Sequence, residues 1–161
     1  MIKYAYVADL LIIVSKPYRL FYDAVKTNSF WDHKWQLSAL FPSMGLSRRY
    51  HHIYNDIEIF YDAWSNIHFG TIGKYCEFSE SVLLGGADAA QRKSNFELKD
   101  IYTINMPEGD TVCDKVAIKL GFSIYDEYIK GILINAYNIL SYVVNDNVFK
   151  YYFQKGKCPD E

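Results

Sequence analysis

The stretch GDTVCDKVAIKLGFSIY, residues 109–125, reads as a helix with its own start signal. Asp110 can cap a helix beginning at Thr111, and Asp114 puts negative charge in the first turns, where it complements the helix dipole. Val112, Val116, Leu120 and Ile124 then recur at close to helical spacing. Downstream, Ile132, Leu133, Ala136, Tyr137 and Leu140 predict a second helix from Ile129 to Tyr142. VFKYYF after it reads as packed or strand-like, and residues 155–161 as a fraying tail.

Working back toward the start, Ser79 can cap a helix through Gln91, with Val82, Leu83, Ala87 and Ala90 on one apolar face. Gly85 and Gly86 in that helix read as permitting close packing. Residues 92–109 are polar and end in Met-Pro-Glu-Gly, the pattern of a long mobile loop. Residues 50–62 are ambiguous: Ile57, Ile59 and Tyr61 alternate with Glu58, Phe60 and Asp62, but Phe60 spoils the period of two, which tips the reading to helix. Thr27–Ser29 is a turn, and residues 3–26 read as two short helices broken at Lys16-Pro17. The expected fold is one mainly α domain over residues 1–161, with minor strand content and no linker.

Composition narrows the function. Half of the 161 residues are hydrophobic, with 15 Tyr and 10 Phe, enough for one packed core. A formal net charge of -2 supplies no global attraction to RNA or an anionic lipid surface. Arg48, Arg49, Tyr50, His51 and His52 are the one basic, aromatic cluster, read either as a solvated loop or as a phosphate contact. Cys76, Cys113 and Cys158 are odd in number and widely spaced, suggesting neither a disulfide framework nor a zinc pattern and fitting synthesis in a reducing cytosol. The run Leu10–Val14 is too short to span a membrane and has no cleavage site after it, so no membrane insertion and no cleavable signal peptide are expected. There is no phosphate loop and no Gly-x-Ser-x-Gly elbow, and neither cofactor nor metal is expected.

Three segments carry a resemblance: VKTNSFWDHKW (25–35), YDAWSNIHFGTIGKYCEFSESVLLGGADAAQ (61–91) and GDTVCDKVAIKLGFSIY (109–125). In order and spacing they are similar to the bacterial polymorphic toxin type 44 family, over residues 25–125. The resemblance places the family's first element on Trp31, Asp32 and Lys34. Its second falls on Asn66, His68, Gly70 and Gly73, and its third on Asp114, Ile118 and Gly121. Ser65 stands where the family commonly has Gly, Phe69 replaces Tyr, and the usual Pro near Val112 is absent. The family implies an antibacterial effector delivered by a secretion machine and neutralised in the producer by a cognate immunity protein.

Side-chain chemistry offers a site without choosing a reaction. His68 is the candidate general acid/base because imidazole titrates near neutrality. Asn66 can orient substrate or water, and Gly70 lets backbone approach a ligand. Asp32 and Lys34, one residue apart, would share a side of an extended segment as base and electrostatic clamp, or form a structural ion pair. Trp31 and Trp35 can stack on a sugar or a base, or belong to the core. Asp114 is a helix-start residue and a catalytic candidate.

Glycan cleavage needs two carboxyls in unequal environments, for which Asp32, Asp62 and Asp114 are available, with Glu77 and Glu80 in reserve. RNA cleavage would use His68 with Lys34 or Arg48. The expected function is a peptidoglycan hydrolase acting on a glycan or peptide polymer in the target periplasm, exported without a cleavable signal. A ribonuclease acting on RNA in the target cytoplasm is the alternative, and a non-enzymatic binding protein with a Tyr-rich surface a second one.

Overall fold

A computed structural model describes residues 16–26, 28–34, 36–37, 51–54, 57–98 and 111–153. In chain order these form helix α1 (16–25), strands β1 (His51–Tyr54) and β2 (Ile57–Phe60), and helices α2 (Asp62–Tyr75), α3 (Glu80–Leu98), α4 (Val112–Ile129), α5 (Ala136–Asn145) and α6 (Asn147–Tyr152). The molecule is a compact, mainly helical domain with one small antiparallel sheet. The clustered basic residues Arg48 and Arg49, the tail 155–161 and Met106–Gly109 lie outside the described residues.

α4 is the central element because it carries apolar side chains on two faces. Ala117, Leu120 and Ile124 join Ile57, Ile59, Ala63, Ile67, Val143, Phe149 and Phe153 in the main core. Ile118 and Phe122 pack with Leu83 in a second cluster, flanked by Phe21, Phe69 and Phe78. The rings of Phe21 and Phe69, 5.6 Å apart, and of Phe21 and Phe78, 4.8 Å apart, seat α1 on this second cluster.

The helix expected from Thr111 is present, but Thr111 itself is the cap. Its hydroxyl accepts from the Asp114 amide and the Asp114 side chain accepts from the Thr111 amide, a closed capping box. α4 stops at Lys130 because Gly131, at φ +85°, turns the chain left-handed: the Ile132 amide reaches back to the Glu127 carbonyl and the Gly131 amide to that of Tyr128. The helix expected from Ile129 to Tyr142 is therefore displaced, beginning at Ala136 behind the Asn135 cap.

Four further expectations are corrected. Residues 51–60 form a hairpin, not a helix, with His51 opposite Phe60 and Tyr54 opposite Ile57. Ile57, Glu58 and Ile59 are all buried, so alternation is absent because both faces of this strand are covered. The segment after Gln91 remains helical to Leu98. VFKYYF is packed, with Phe149 and Phe153 buried in the main core, but helical to Tyr152 instead of strand-like, capped by Asp146, which accepts from the Phe149 amide at 2.6 Å. Gly85 and Gly86 permit no close packing, since a Cβ on either would meet nothing within 4 Å.

Candidate active site

α2 and α4 lie parallel. Asn66 meets Asp114 near their starts, Thr71 meets Gly121 at mid-length, and Lys74 lies 4.0 Å from Asp126 beyond. Contact this close requires glycine on both sides: a Cβ on Gly70 would overlap the Ile118 carbonyl oxygen, and one on Gly121 would overlap that of Ile67. The Thr71 hydroxyl donates toward the carbonyls of Ile67 and Gly121, each 3.0 Å away. Gly70 thus faces a helix and Gly73 faces the Leu83 side chain, so the expectation that these glycines open backbone to a ligand is corrected.

The parallel pairing brings two helix starts together, each bearing a buried aspartate. Asp114 is 7 % exposed. Its Oδ1 accepts from Asn66 Nδ2 at 2.6 Å, and its Oδ2 accepts from the Thr111 amide at 3.2 Å and hydroxyl at 2.6 Å. Both oxygens of Asp114 therefore act as acceptors, one toward Asn66 and the other toward Thr111. Asp62, 5 % exposed, opens α2 and has Lys34 Nζ 3.5 Å from its Oδ2. Burial, reinforced by the Asp114 charge, raises the Asp62 carboxyl to about 6, against the opposing pull of Lys34 and His51. Lys34, with 42 % of its side chain exposed, marks the solvent side of the pair.

Asp32 has a different task. Its Oδ2 accepts from the Asn28 amide at 2.8 Å and its Oδ1 from the Lys34 amide at 3.1 Å, with Asn28 at φ +63°. Lys34 is already helical, so the expected extended segment with Asp32 and Lys34 on one side is corrected: Asp32 braces the turn that delivers Lys34 to Asp62. Trp31 is half-buried, its amide donating to the Ala24 carbonyl at 2.9 Å.

His68 stands apart from the carboxyl pair, its ring edge-on to that of His33 with centroids 4.8 Å apart. Burial first, and then the His33 charge, lowers its pKa below the usual imidazole value. His33 Nδ1 is 3.2 Å from Gln36 Oε1. The geometry therefore pairs Lys34 with Asp62, Asn66 with Asp114 and His68 with His33, and the charge of Asp114 acts on Asp62.

His51, buried on β1, enters the field of Asp62, although the sequence marks it only within a basic cluster. Asp62 itself carries a readable sign: Asp62, Asn66, Gly70 and Gly73 follow one another at helical spacing, so the face that packs on α4 begins with a carboxyl. Among the described residues no group of three or more His, Cys, Asp or Glu could hold a metal ion. A shallow groove lined by Val112, Val116, Lys119, Val148 and Tyr152 lies on another face of α4, away from the paired carboxyls.

Cys76 is a free, exposed thiol, whereas Cys113 is disulfide-bonded. No described helix is long and apolar enough to cross a membrane. Comparison with known proteins gives one match: the family model described as bacterial toxin 44 covers residues 20–127. No curated protein and no solved structure matches the chain.

Proposed function

Because the chain belongs to the bacterial toxin 44 family, matched across residues 20–127, we propose that this toxin is a hydrolase of the bacterial cell wall, cutting glycosidic bonds of peptidoglycan. The single observation that carries the reading is the unequal pair at the start of α2 and α4. Asp62 is raised to about 6 by burial and by Asp114, while Asp114 is surrounded by the donors of Asn66 and Thr111. Two carboxyls in unequal environments, one buried with a raised pKa and one accepting from several donors, are what glycoside cleavage uses.

In this reading protonated Asp62 gives its proton to the glycosidic oxygen as the bond to the sugar carbon breaks. Asp114 stabilises positive charge on that carbon and takes a proton from the attacking water. Lys34 limits how far the Asp62 pKa can rise, and Asn66 fixes the Asp114 carboxylate. Delivery from the producer's cytoplasm to a target periplasm, and neutralisation at home by an immunity protein, complete the proposal.

One specific observation favours a second reading. His33, next to Lys34 in sequence, is in ring contact with His68, and two imidazoles with a cation can serve RNA cleavage as acid, base and phosphate clamp. Purified chain incubated with peptidoglycan sacculi and, separately, with total RNA tests both. Soluble muropeptides with new reducing ends, absent with Asp62→Asn, are the expected result. Degraded RNA beside intact sacculi overturns the wall reading.

A further inference from the structure

We infer that Phe30 is a binding subsite for a pyranose ring of the glycan, an aromatic platform on the turn that brings Lys34 to Asp62; this rests on the wall-hydrolase reading. A lone exposed hydrophobic residue normally needs no explanation. Phe30 differs in degree and in setting. It is 86 % exposed, the most exposed of the large hydrophobic side chains among the described residues.

Its backbone is also held on both sides. The Asn28 and Lys34 amides donate to Asp32, the Ser29 amide to the Lys26 carbonyl at 3.0 Å, the Trp31 amide to Ala24, and the Asp32 amide to Ser29 at 3.2 Å. The Ser29 hydroxyl also donates to the Ala24 carbonyl. The turn thus presents a bare phenyl ring on a fixed base, which spares a ligand the entropy of ordering that base.

The same turn delivers Lys34 to Asp62, 3.5 Å away. Four residues of chain span at most about 14 Å, so Phe30 rides on the same short segment as Lys34. A phenyl ring has neither donor nor acceptor and selects a flat apolar face. The C–H face of a pyranose is such a surface, and a neutral ring sequence suits a protein of net charge -2 better than a polyphosphate does.

The test compares wild type, Phe30→Ala and Phe30→Trp on sacculi, reading muropeptide release and melting temperature together. Phe30→Ala is expected to raise KM about three- to tenfold, with kcat within twofold and melting unchanged, because one stacking partner is lost at an exposed site. Phe30→Trp is expected to restore the wild-type KM. Wild-type release with no change of KM in Phe30→Ala overturns the subsite and leaves the hydrolase reading standing. No muropeptide release by wild type overturns both. Loss of binding to a homopolymeric RNA in Phe30→Ala, with sacculus kinetics unaltered, assigns the ring to a nucleobase and overturns the sugar subsite.

Discussion

Gly70 and Gly121 face one another where α2 crosses α4: a Cβ on Gly121 would stand 3.1 Å from the Gly70 Cα, and one on Gly70 3.3 Å from the Gly121 Cα. The nearer obstacles are backbone carbonyls, which have no rotamer to escape into. Gly70→Ala and Gly121→Ala should each cost about 1–3 kcal/mol or more through overpacking. Gly85→Ala and Gly86→Ala, in open helix, should each gain up to about 1 kcal/mol. Urea unfolding of the four variants checks both signs, and equal effects at the two pairs of sites would sink the packing argument.

Asp62 imposes a pH dependence whose sign is opposite to that of an ordinary salt-bridged aspartate. Its folded pKa of about 6 lies above its ordinary 3.8, so the folded state holds the extra proton between those values. Stability from this group is present below about 4 and lost as pH rises through 6, a swing of at most about 3 kcal/mol. His68, lowered instead, acts the other way and weakens the fold as pH drops below its ordinary 6.5. Subtracting the unfolding free energy of Asp62→Asn from that of wild type at each pH isolates the aspartate; a difference that rises with pH contradicts it.

Lys34 pulls the Asp62 pKa down. Lys34→Met should therefore move the alkaline limb of the kcat/KM profile on sacculi to higher pH, while Lys34→Arg keeps it near its wild-type place. A pH–rate series of the three proteins decides this, and an acid-ward shift in Lys34→Met is the contrary outcome.

Glu77 and Gly131 end α2 and α4 in the same way. Each takes a left-handed conformation, at φ 65° and φ 85°, with the Phe78 amide returning to the Gly73 carbonyl at 3.1 Å as that of Ile132 does to Glu127. A side chain at such a position is strained by roughly 1–2 kcal/mol. Glu77→Gly should raise the melting temperature by a few degrees and Gly131→Ala should lower it. Differential scanning calorimetry gives both values directly.

The cysteines make a chemical prediction. With Cys76 free and Cys113 bonded, unfolded chain should present one titratable thiol without reductant and three after reduction, since the sequence holds three cysteines. A count of three without reductant would contradict the bond.

α4 was legible because its signals are local: Thr111-x-x-Asp114 closes a box within one turn, and the apolar period follows at once. The hairpin was not, because burial of Ile57, Glu58 and Ile59 erases the alternation that marks a half-buried strand. Gly70 illustrates a third case. Its need to be glycine is visible, but whether ligand or helix approaches it depends on Gly121, 51 positions later.

Asp114 and Asn66 fell within recognisable motifs, and both lie at the carboxyl pair. Asp62 shares a helical face with Asn66 and Gly70, but nothing in that spacing ranks it above the other available carboxyls. Its significance arises from burial beside Asp114, a property of the packed pair and of neither segment alone.

The bond between Asn66 and Asp114 spans 48 positions of chain. A ribosome that has released α2 has therefore made only one partner of this bond, and the second arrives with α4 from residue 112 onward. On the proposed reading, a chain that stops before α4 is unarmed.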